Sequence, residues 1–196
     1  AETLGLQHFD EDDLYTALDR LAEEQEHIED ALYRQAVRQR GGAPTVVLYD
    51  VTSSYLEGER NELAAFGYNR DKKPSKAQIV IGLLTTTDGE PLAVHVYEGN
   101  TADPATVPEQ VHTLQSRFGI TEVVFVGDRG MVKAKGKRGL TTAGFHYITA
   151  LTTPQVRRLL QTQVLRTEWF TPQVHEVVHG AVRLILRRSE ALRHRA

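Results

Sequence analysis

The sequence of 196 residues has no cysteine and no long hydrophobic run. The lack of cysteine excludes disulfide frameworks, cysteine-ligated zinc and thiol catalysis. No apolar run approaches the roughly 18 residues that a membrane-spanning helix needs. No basic segment followed by an apolar one opens the chain, so neither a membrane association nor export is predicted. Because the first residue is Ala1 rather than Met, we expect the chain to be a fragment.

Charge is unevenly distributed along a chain whose composition is otherwise that of a globular domain, with 40% hydrophobic and 25% charged residues. Residues 1–128 contain 10 Lys and Arg against 23 Asp and Glu, whereas residues 129–196 contain 13 Lys and Arg against 3 Glu. This polarity indicates a face that binds a polyanion. The alternative is that acidic helices and basic strands neutralise each other within the fold.

Periodic patterns predict a mixed α/β domain. Apolar residues at spacings of three, four and seven predict one amphipathic helix over Asp10–Arg40, which Gly41–Pro44 ends. A second helix, with Asp103 as its N-cap, is predicted to extend to Phe118. Five strands are predicted, of which the second and third form a hairpin: Thr45–Asp50, Gln78–Thr85, Pro91–Tyr97, Glu122–Gly127 and Phe145–Leu151. The fold class is therefore a mixed sheet flanked by helices.

The last part of the chain has a different character. A short basic helix is predicted over Gln155–Val164, and two valine-rich runs within Trp169–Leu186 are separated by a His179-Gly180 turn. We expect three segments: an N-terminal helix and linker at 1–44, a partial catalytic core at 45–153, and an incomplete β-rich insertion at 154–196.

Two aspartates follow apolar strands and are the first candidates for chemistry. Asp50 ends the first strand and Asp128 follows the fourth. If these strands are neighbours, both carboxylates converge at one sheet edge, where α/β sheets bind ligands. Close carboxylates repel each other unless a cation lies between them, and Mg²⁺ accepts one or two shared carboxylates. The alternative is that each aspartate is a turn or capping residue.

A basic cluster follows Asp128 directly and consists of Arg129, Lys133, Lys135, Lys137 and Arg138. Two glycines within it predict a flexible loop, and its charge predicts salt-dependent binding to DNA phosphates. The alternative is a basic loop that only meets solvent.

Two other chemistries have weaker support. His175-Glu176-Val177-Val178-His179 matches the zinc-peptidase pattern, which requires a helix, but its β-branched residues predict a strand, on which the histidines are too far apart to share one ion. An aspartyl-phosphate phosphatase with Asp50 as nucleophile normally has a second Asp two residues on, where this chain has Thr52.

Four motifs in order resemble those of DDE transposases of bacterial insertion sequences, and the insertion-sequence-four superfamily is the nearest group. The motifs are Tyr49–Ser53, Gly67–Asp71, Gly99–Asp103 and Gly127–Met131. The resemblance extends over residues 10–188 and implies a ribonuclease H-like core. It also implies DNA cleavage and strand transfer with Mg²⁺ or Mn²⁺, transposon ends and target DNA as partners, a possible homodimer in the synaptic complex, no membrane, and a bacterial, cytoplasmic and nucleoid-associated location.

The resemblance also assigns residues. Asp50 and Asp128 match the first two catalytic, metal-binding acids, Arg129 is expected near a phosphate, and Tyr68 and Arg70 lie in a loop that faces DNA in such enzymes. Asn100, Thr101 and Asp103 match a signature that we interpret as a structural helix start.

The family's third acid, a Glu on a helix beyond the fifth strand, has no counterpart in a matching context among Glu168, Glu176 and Glu190. We therefore expect a core that is inactive as an isolated chain, or alternatively a remnant that binds DNA without catalysis.

Overall fold

The structure of the chain is a computed structural model that describes residues 10–58, 60–68 and 75–188. The described residues fall into two compact units that are divided after Thr149.

The first unit is built on a five-stranded mixed sheet with the strand order β3-β2-β1-β4-β5. The strands are β1 (Val46–Tyr55), β2 (Gln78–Thr86), β3 (Pro91–Glu98), β4 (Val124–Gly127) and β5 (His146–Ile148). Strands β1 and β2 are antiparallel, as are β2 and β3, whereas β4 runs parallel to both β1 and β5. The predicted hairpin is confirmed, with Gly89 at a φ of 82° in its turn. The first and fourth strands are neighbours, as the site prediction requires.

Four helices belong to this unit: α1 (Glu11–Glu23), α2 (Gln25–Arg40), α3 (Asp103–His112) and α4 (Ala134–Thr142). The prediction of one helix over Asp10–Arg40 is wrong, because Glu24 leaves the helical conformation and serves as C-cap of α1 and N-cap of α2. Gly41 ends α2 in the left-handed region, as expected. Helix α3 continues into a π-helical turn over Thr113–Arg117.

The hydrophobic core lies on one face of the sheet. Along β1, Val47, Tyr49 and Val51 are buried, while the intervening Asp50 and Thr52 are exposed. This alternation follows from the two-residue period of a strand. The buried side belongs to a cluster that also contains Leu84, Val107, Leu114, Phe125 and Leu140. Alternation along β1 therefore places Asp50 on the face opposite the core.

A buried carboxylate connects α2 to the rest of the unit. Glu29 is only 5% exposed, and its Oε1 accepts hydrogen bonds from the Val94 backbone N–H (2.9 Å) and from Gln25 Nε2 (3.0 Å). Its Oε2 lies 2.7 Å from Arg117 Nη1. The Glu29 carboxylate thus accepts a hydrogen bond from the backbone of β3 and forms an ion pair with Arg117, the last residue of the π-helical turn.

Replacing Glu29 with Ala should lower the free energy of unfolding by about 2–3 kcal/mol, because the partly buried Val94 N–H loses its acceptor and the Arg117 guanidinium loses the buried one of its two carboxylate partners. Asp30→Ala is the matched control. Asp30 also contacts Arg117, at 3.0 Å, but its side chain is 38% exposed, so we expect a loss below about 1 kcal/mol. Urea denaturation of both variants measures the difference, and equal losses would contradict the assignment.

The second unit contains α5 (Thr153–Gln161), a 3-10 helix (Thr167–Trp169), β6 (His175–His179) and β7 (Val182–Leu186). Strands β6 and β7 form an antiparallel hairpin with Gly180 at a φ of 61°, which confirms the predicted turn. The small hydrophobic core of the second unit is formed by Leu165, Leu184 and Leu186. Across the described parts of both units, no helix combines the length and apolar character needed to cross a membrane.

Candidate metal and nucleic-acid site

The pairing register brings Asp50 and Asp128 together. Strands β1 and β4 pair in parallel up to Tyr49 and Gly127. The next residue of each chain segment is an aspartate, and both aspartates border the same cleft. The prediction that Asp50 ends its strand is wrong, since β1 runs on to Tyr55 beside β2. What ends before Asp50 is the pairing of β1 with β4, whose last residue on β1 is Tyr49.

Both aspartates line one open cleft, and each carboxylate is held by a backbone group. The cleft has a volume of about 670 Å³ and is bordered by Leu48, Tyr49, Asp50, Leu83, Thr85, Val126, Gly127 and Asp128. Asp50 Oδ1 accepts a hydrogen bond from the Val51 N–H at 2.9 Å, and Asp128 Oδ1 accepts one from the Arg129 N–H at 2.6 Å. Each carboxylate therefore has one oxygen oriented by the backbone, while Oδ2 carries no such bond.

A layer of buried polar side chains lies behind the site, between α3 and the sheet. Gln110 donates from Nε2 to the Tyr97 hydroxyl (2.9 Å), and the same nitrogen is 3.1 Å from His95 Nδ1. Burial raises the pKa of the Tyr97 and Tyr49 hydroxyls, so both phenols stay neutral and can donate. Tyr49 fits because Gly82 faces it, since a Cβ at Gly82 would collide with the Tyr49 hydroxyl. The Gln110 contacts fix α3 against β3.

The start of α3 departs from the sequence prediction. Ala102, not Asp103, is the N-cap residue, and Asp103 is the first residue of the helix. Its carboxylate lies near the second aspartate, because a Cβ built on Gly130 would lie 3.9 Å from Oδ2 of both Asp103 and Asp128. Sequence reasoning treated Asp103 as structural and missed this proximity. In the sequence, this proximity was indicated by the order of the motifs, because the motif that ends in Asp103 is followed by the motif that contains Asp128.

Most of the basic cluster lies on a helix, although its two glycines predicted flexibility. Lys133 is the N-cap of α4, and Lys135, Lys137 and Arg138 lie within it. Gly136 is buried on the inner side of the helix, where an added Cβ would make only ordinary van der Waals contacts. Lys137 Nζ lies 5.3 Å from the centre of the Tyr147 ring, a cation–π contact. The other three basic residues and Arg129 are exposed.

Tyr68 is 84% exposed, and its carbonyl accepts a hydrogen bond from Gln78 Nε2 at 3.0 Å. The same nitrogen donates to the Gly99 carbonyl at 2.7 Å. The loop that presents Tyr68 is thus tied to the segment that leads into α3. Arg70, predicted to accompany Tyr68, lies outside the described residues.

The remaining sequence candidates do not form a metal site. His175 and His179 lie on strand β6, as predicted, and Glu176 is paired with Arg183 at 2.7 Å, which lowers the pKa of the Glu176 carboxyl. Glu168 is in the 3-10 helix, and Glu190 is outside the described residues. Within the described ranges, no three His, Asp or Glu side chains are close enough to hold one ion directly.

Comparison with known families gives one match. The sequence profile of the family described as "Transposase DDE domain" matches residues 41–195, more than half of the chain. A comparison with proteins of curated function gives no match.

Solved structures resemble this chain in fold. The cryo-EM structure of the piggyBac transposase synaptic complex with hairpin DNA matches with a TM-score of 0.51 and 13% identity, over 75% of this chain and 31% of that one. The Mos1 transposase paired-end complex with its left transposon end gives a TM-score of 0.37 and 10% identity, over 72% of this chain and 43% of that one. This chain therefore spans less than half the length of either transposase. The strand order and the first match give a ribonuclease H-like fold, which confirms the predicted fold class.

Proposed function

The chain belongs to the transposase DDE domain family, and from that premise we propose that it is the catalytic core of a DNA transposase, which cleaves DNA and transfers strands during the movement of an insertion sequence. The observation that carries the proposal is the parallel pairing of β1 and β4, after which Asp50 and Asp128 border one cleft. The order of the four motifs supports the insertion-sequence-four superfamily as the group within the family.

The donor set at this edge fits a hard divalent cation. The family depends on divalent metal ions, and two carboxylates with outward oxygens beside an open cleft are ligands that Mg²⁺ or Mn²⁺ accepts. Asp50 and Asp128 would hold the ion, and the backbone N–H groups of Val51 and Arg129 keep the carboxylates oriented. When bound, the cation supplies activation of the attacking oxygen and neutralisation of the charge that develops at the phosphodiester.

The basic residues next to Asp128 bind and orient the DNA backbone. Lys133 and Lys135 lie in the first turn of α4, where no acid is present. The positive end of the helix dipole makes that position unfavourable for cations unless an anion binds there. The negative charge of a DNA phosphate interacts favourably with both the positive end of the helix dipole and the lysine ammonium groups. We expect Arg129, one residue after the second acid, to contact the phosphate nearest the cleft.

Partners and location follow from the proposed activity. The substrates are transposon ends and target DNA, and a second copy of the chain completes a synaptic complex. Such a protein acts on the nucleoid in the bacterial cytoplasm.

The proposal is tested by DNA binding and nicking. Binding to a fluorescent duplex, followed by anisotropy, should weaken as salt rises. Replacing Lys133 and Lys135 with Gln should reduce the slope of log K against log salt by about 2, one per phosphate contact. Arg157→Gln with Arg158→Gln on α5 is the control of equal charge, and a smaller change is expected there. Equal changes in both double variants would show that α4 is not the DNA site.

Nicking of supercoiled plasmid provides the catalytic arm. Because no Glu after Asp128 matches the family's third acid, the 196-residue chain is compared with one extended past Ala196. We expect nicked product from the extended chain with Mg²⁺ or Mn²⁺ and none with EDTA, and little or no nicking by the 196-residue chain. Salt-dependent binding without metal-dependent nicking would instead support the DNA-binding remnant, and the absence of both would contradict a role on DNA.

A further inference from the structure

Two aromatic side chains are exposed on one short loop between β1 and β2, residues 63–68, which we call the aromatic loop. Phe66 is 69% exposed and Tyr68 is 84% exposed. Burial of an aromatic ring is strongly favourable, so folded domains usually cover such rings. Two exposed rings that are two residues apart therefore indicate a surface that contacts a ligand.

The backbone on both sides of Phe66 is held in place. Ala65, directly before it, exchanges two backbone hydrogen bonds of 3.0 and 3.1 Å with Gln78. Gly67, directly after it, packs so closely against Gly99 that an added Cβ would lie 2.1 Å from the Gly99 carbonyl oxygen. The aromatic loop therefore presents its rings from a fixed backbone, and little conformational entropy is lost when they bind a ligand.

The aromatic loop meets the sheet at the carboxyl end of β1. Gln78, the partner of the residue before Phe66, also pairs with Tyr55, the last residue of β1. Tyr55 follows Asp50 by five residues in the same strand. An extended strand covers about 16 Å over that distance, which is the length of about five stacked nucleotides. A DNA strand in the cleft therefore needs only a few further nucleotides to arrive at the aromatic loop.

Polar side chains cover this stretch of β1. Thr52 and Ser54 are both exposed, and strand alternation places them on the same face as Asp50. Hydroxyl groups are among the donors that bind phosphate oxygens in protein–DNA complexes. This face of β1 is therefore suited to contact a DNA backbone between the cleft and the aromatic loop.

We infer that Phe66 and Tyr68 form a stacking platform for an unpaired base of the DNA strand that passes the cleft between β1 and β4. This inference rests on the proposed function. Aromatic rings bind unpaired bases by stacking, and this stacking tolerates any sequence because every base has a π-face. A protein partner fits less well. Two aromatic side chains bury about 150–250 Å² each, whereas a stable protein interface takes about 800 Å² from each partner.

Anisotropy of two fluorescent DNAs tests the inference: a fully paired duplex, and the same duplex with a central tract of unpaired thymines. Phe66→Ala should weaken binding to the second DNA about tenfold, the loss typical of one stacked base, and should change binding to the paired duplex less than about twofold. Phe66→Trp, which keeps an aromatic face, should bind like the unmodified chain. Tyr15→Ala removes a ring that is 58% exposed on α1 and should leave binding to both DNAs unchanged.

The salt dependence of binding separates stacking from phosphate contacts. Phe66→Ala should leave the slope of log K against log salt unchanged, because a ring that stacks on a base releases no counterions. A slope reduced by about one would mean that the variant had lost a phosphate contact instead, which would contradict a stacking role.

The possible results separate the inference from its premise. If Phe66→Ala matches Tyr15→Ala on both DNAs, or weakens binding to both equally, the rings do not stack on an unpaired base and the inference is wrong. The proposed function stands in that case if replacing Lys133 and Lys135 still reduces the salt slope. If the unmodified chain binds neither DNA, the proposed role on DNA is itself wrong.

Photochemical cross-linking tests the unmodified chain and does not depend on variants that fold. 5-Iodouracil replaces thymine in the unpaired tract, and irradiation joins it to an aromatic ring that is stacked on it. Mass spectrometry of the peptides then identifies the residue. A cross-link to Phe66 or Tyr68 supports the inference, and cross-links confined to other peptides overturn it.

Discussion

Replacing Gly99 with Ala should destabilise the first unit by about 4 kcal/mol, among the largest effects expected of a point substitution. A Cβ on Gly99 would overlap the backbone carbonyl of Gln78 and lie 2.5 Å from the Ala65 oxygen. Neither atom can move freely, because Gln78 and Ala65 exchange two backbone hydrogen bonds of 3.0 and 3.1 Å. The Gly99 N–H also donates to Leu63 at 2.9 Å, so the glycine itself is held in place.

Thermal denaturation measures this prediction, and a chain of this size should lose roughly 10 °C in melting temperature. Gly139→Ala is the control, because a Cβ at Gly139 meets nothing within 4 Å and this residue lies inside α4. There, alanine should stabilise the chain by up to about 1 kcal/mol. A Gly99→Ala variant as stable as the unmodified chain would show that the close backbone contact does not exist.

The contact at Gly99 explains two of the four motifs in physical terms. A Cβ on Gly67 would overlap the Gly99 carbonyl oxygen. The loops that contain Gly67 and Gly99 can therefore come this close only because both residues are glycines. Gln78 completes it by donating to the carbonyls of Tyr68 and Gly99. These residues bring the Tyr68 loop and the start of α3 to one place. The sequence reading of Asn100, Thr101 and Asp103 as a structural signature is therefore incomplete, since it leaves out Gly99, at which the two loops make their close contact.

The sheet was predictable because its signals are local. Alternating apolar runs and an Asp-Gly turn define β2 and β3, and their hairpin follows directly from the turn. The break at Glu24 was not predictable, because the apolar stripe continues across it and no Gly or Pro marks it. The Lys133–Arg138 segment is helical although it contains a glycine and another follows it. There, tertiary packing of Gly136 and Leu140 overrides the low helix propensity of glycine.

At the candidate site, the sequence predicted that the strands before Asp50 and Asp128 are neighbours, but it did not predict where the first strand ends. That Asp50 and Asp128 share a sheet edge required only that their strands be neighbours. The end of the first strand was misplaced because β1 has two partners of different length: β4 pairs with it only up to Tyr49, and β2 follows it to Tyr55. Contacts between distant segments, such as Asp103 with Gly130, have no periodic signal in one sequence.

In a chain extended past Ala196, Asp50→Asn and Asp128→Asn should each reduce metal-dependent nicking about a thousandfold. A catalytic metal contributes several kcal/mol to transition-state stabilisation, and each 1.36 kcal/mol corresponds to a factor of ten in rate. Because the two carboxylates hold the same ion in the proposed site, the double variant should be no slower than the slower single variant.

The same substitutions should leave folding and DNA binding intact, which distinguishes loss of chemistry from loss of structure. Both aspartates are exposed, so their replacement should change the free energy of unfolding by less than about 0.5 kcal/mol. Removing a negative charge that faces the DNA backbone should hold or raise duplex affinity. Glu122→Gln, at the other end of β4 and 80% exposed, is the control and should nick DNA at the unmodified rate. If either aspartate variant still nicks DNA with Mg²⁺ at that rate, the cleft between β1 and β4 is not where cleavage takes place.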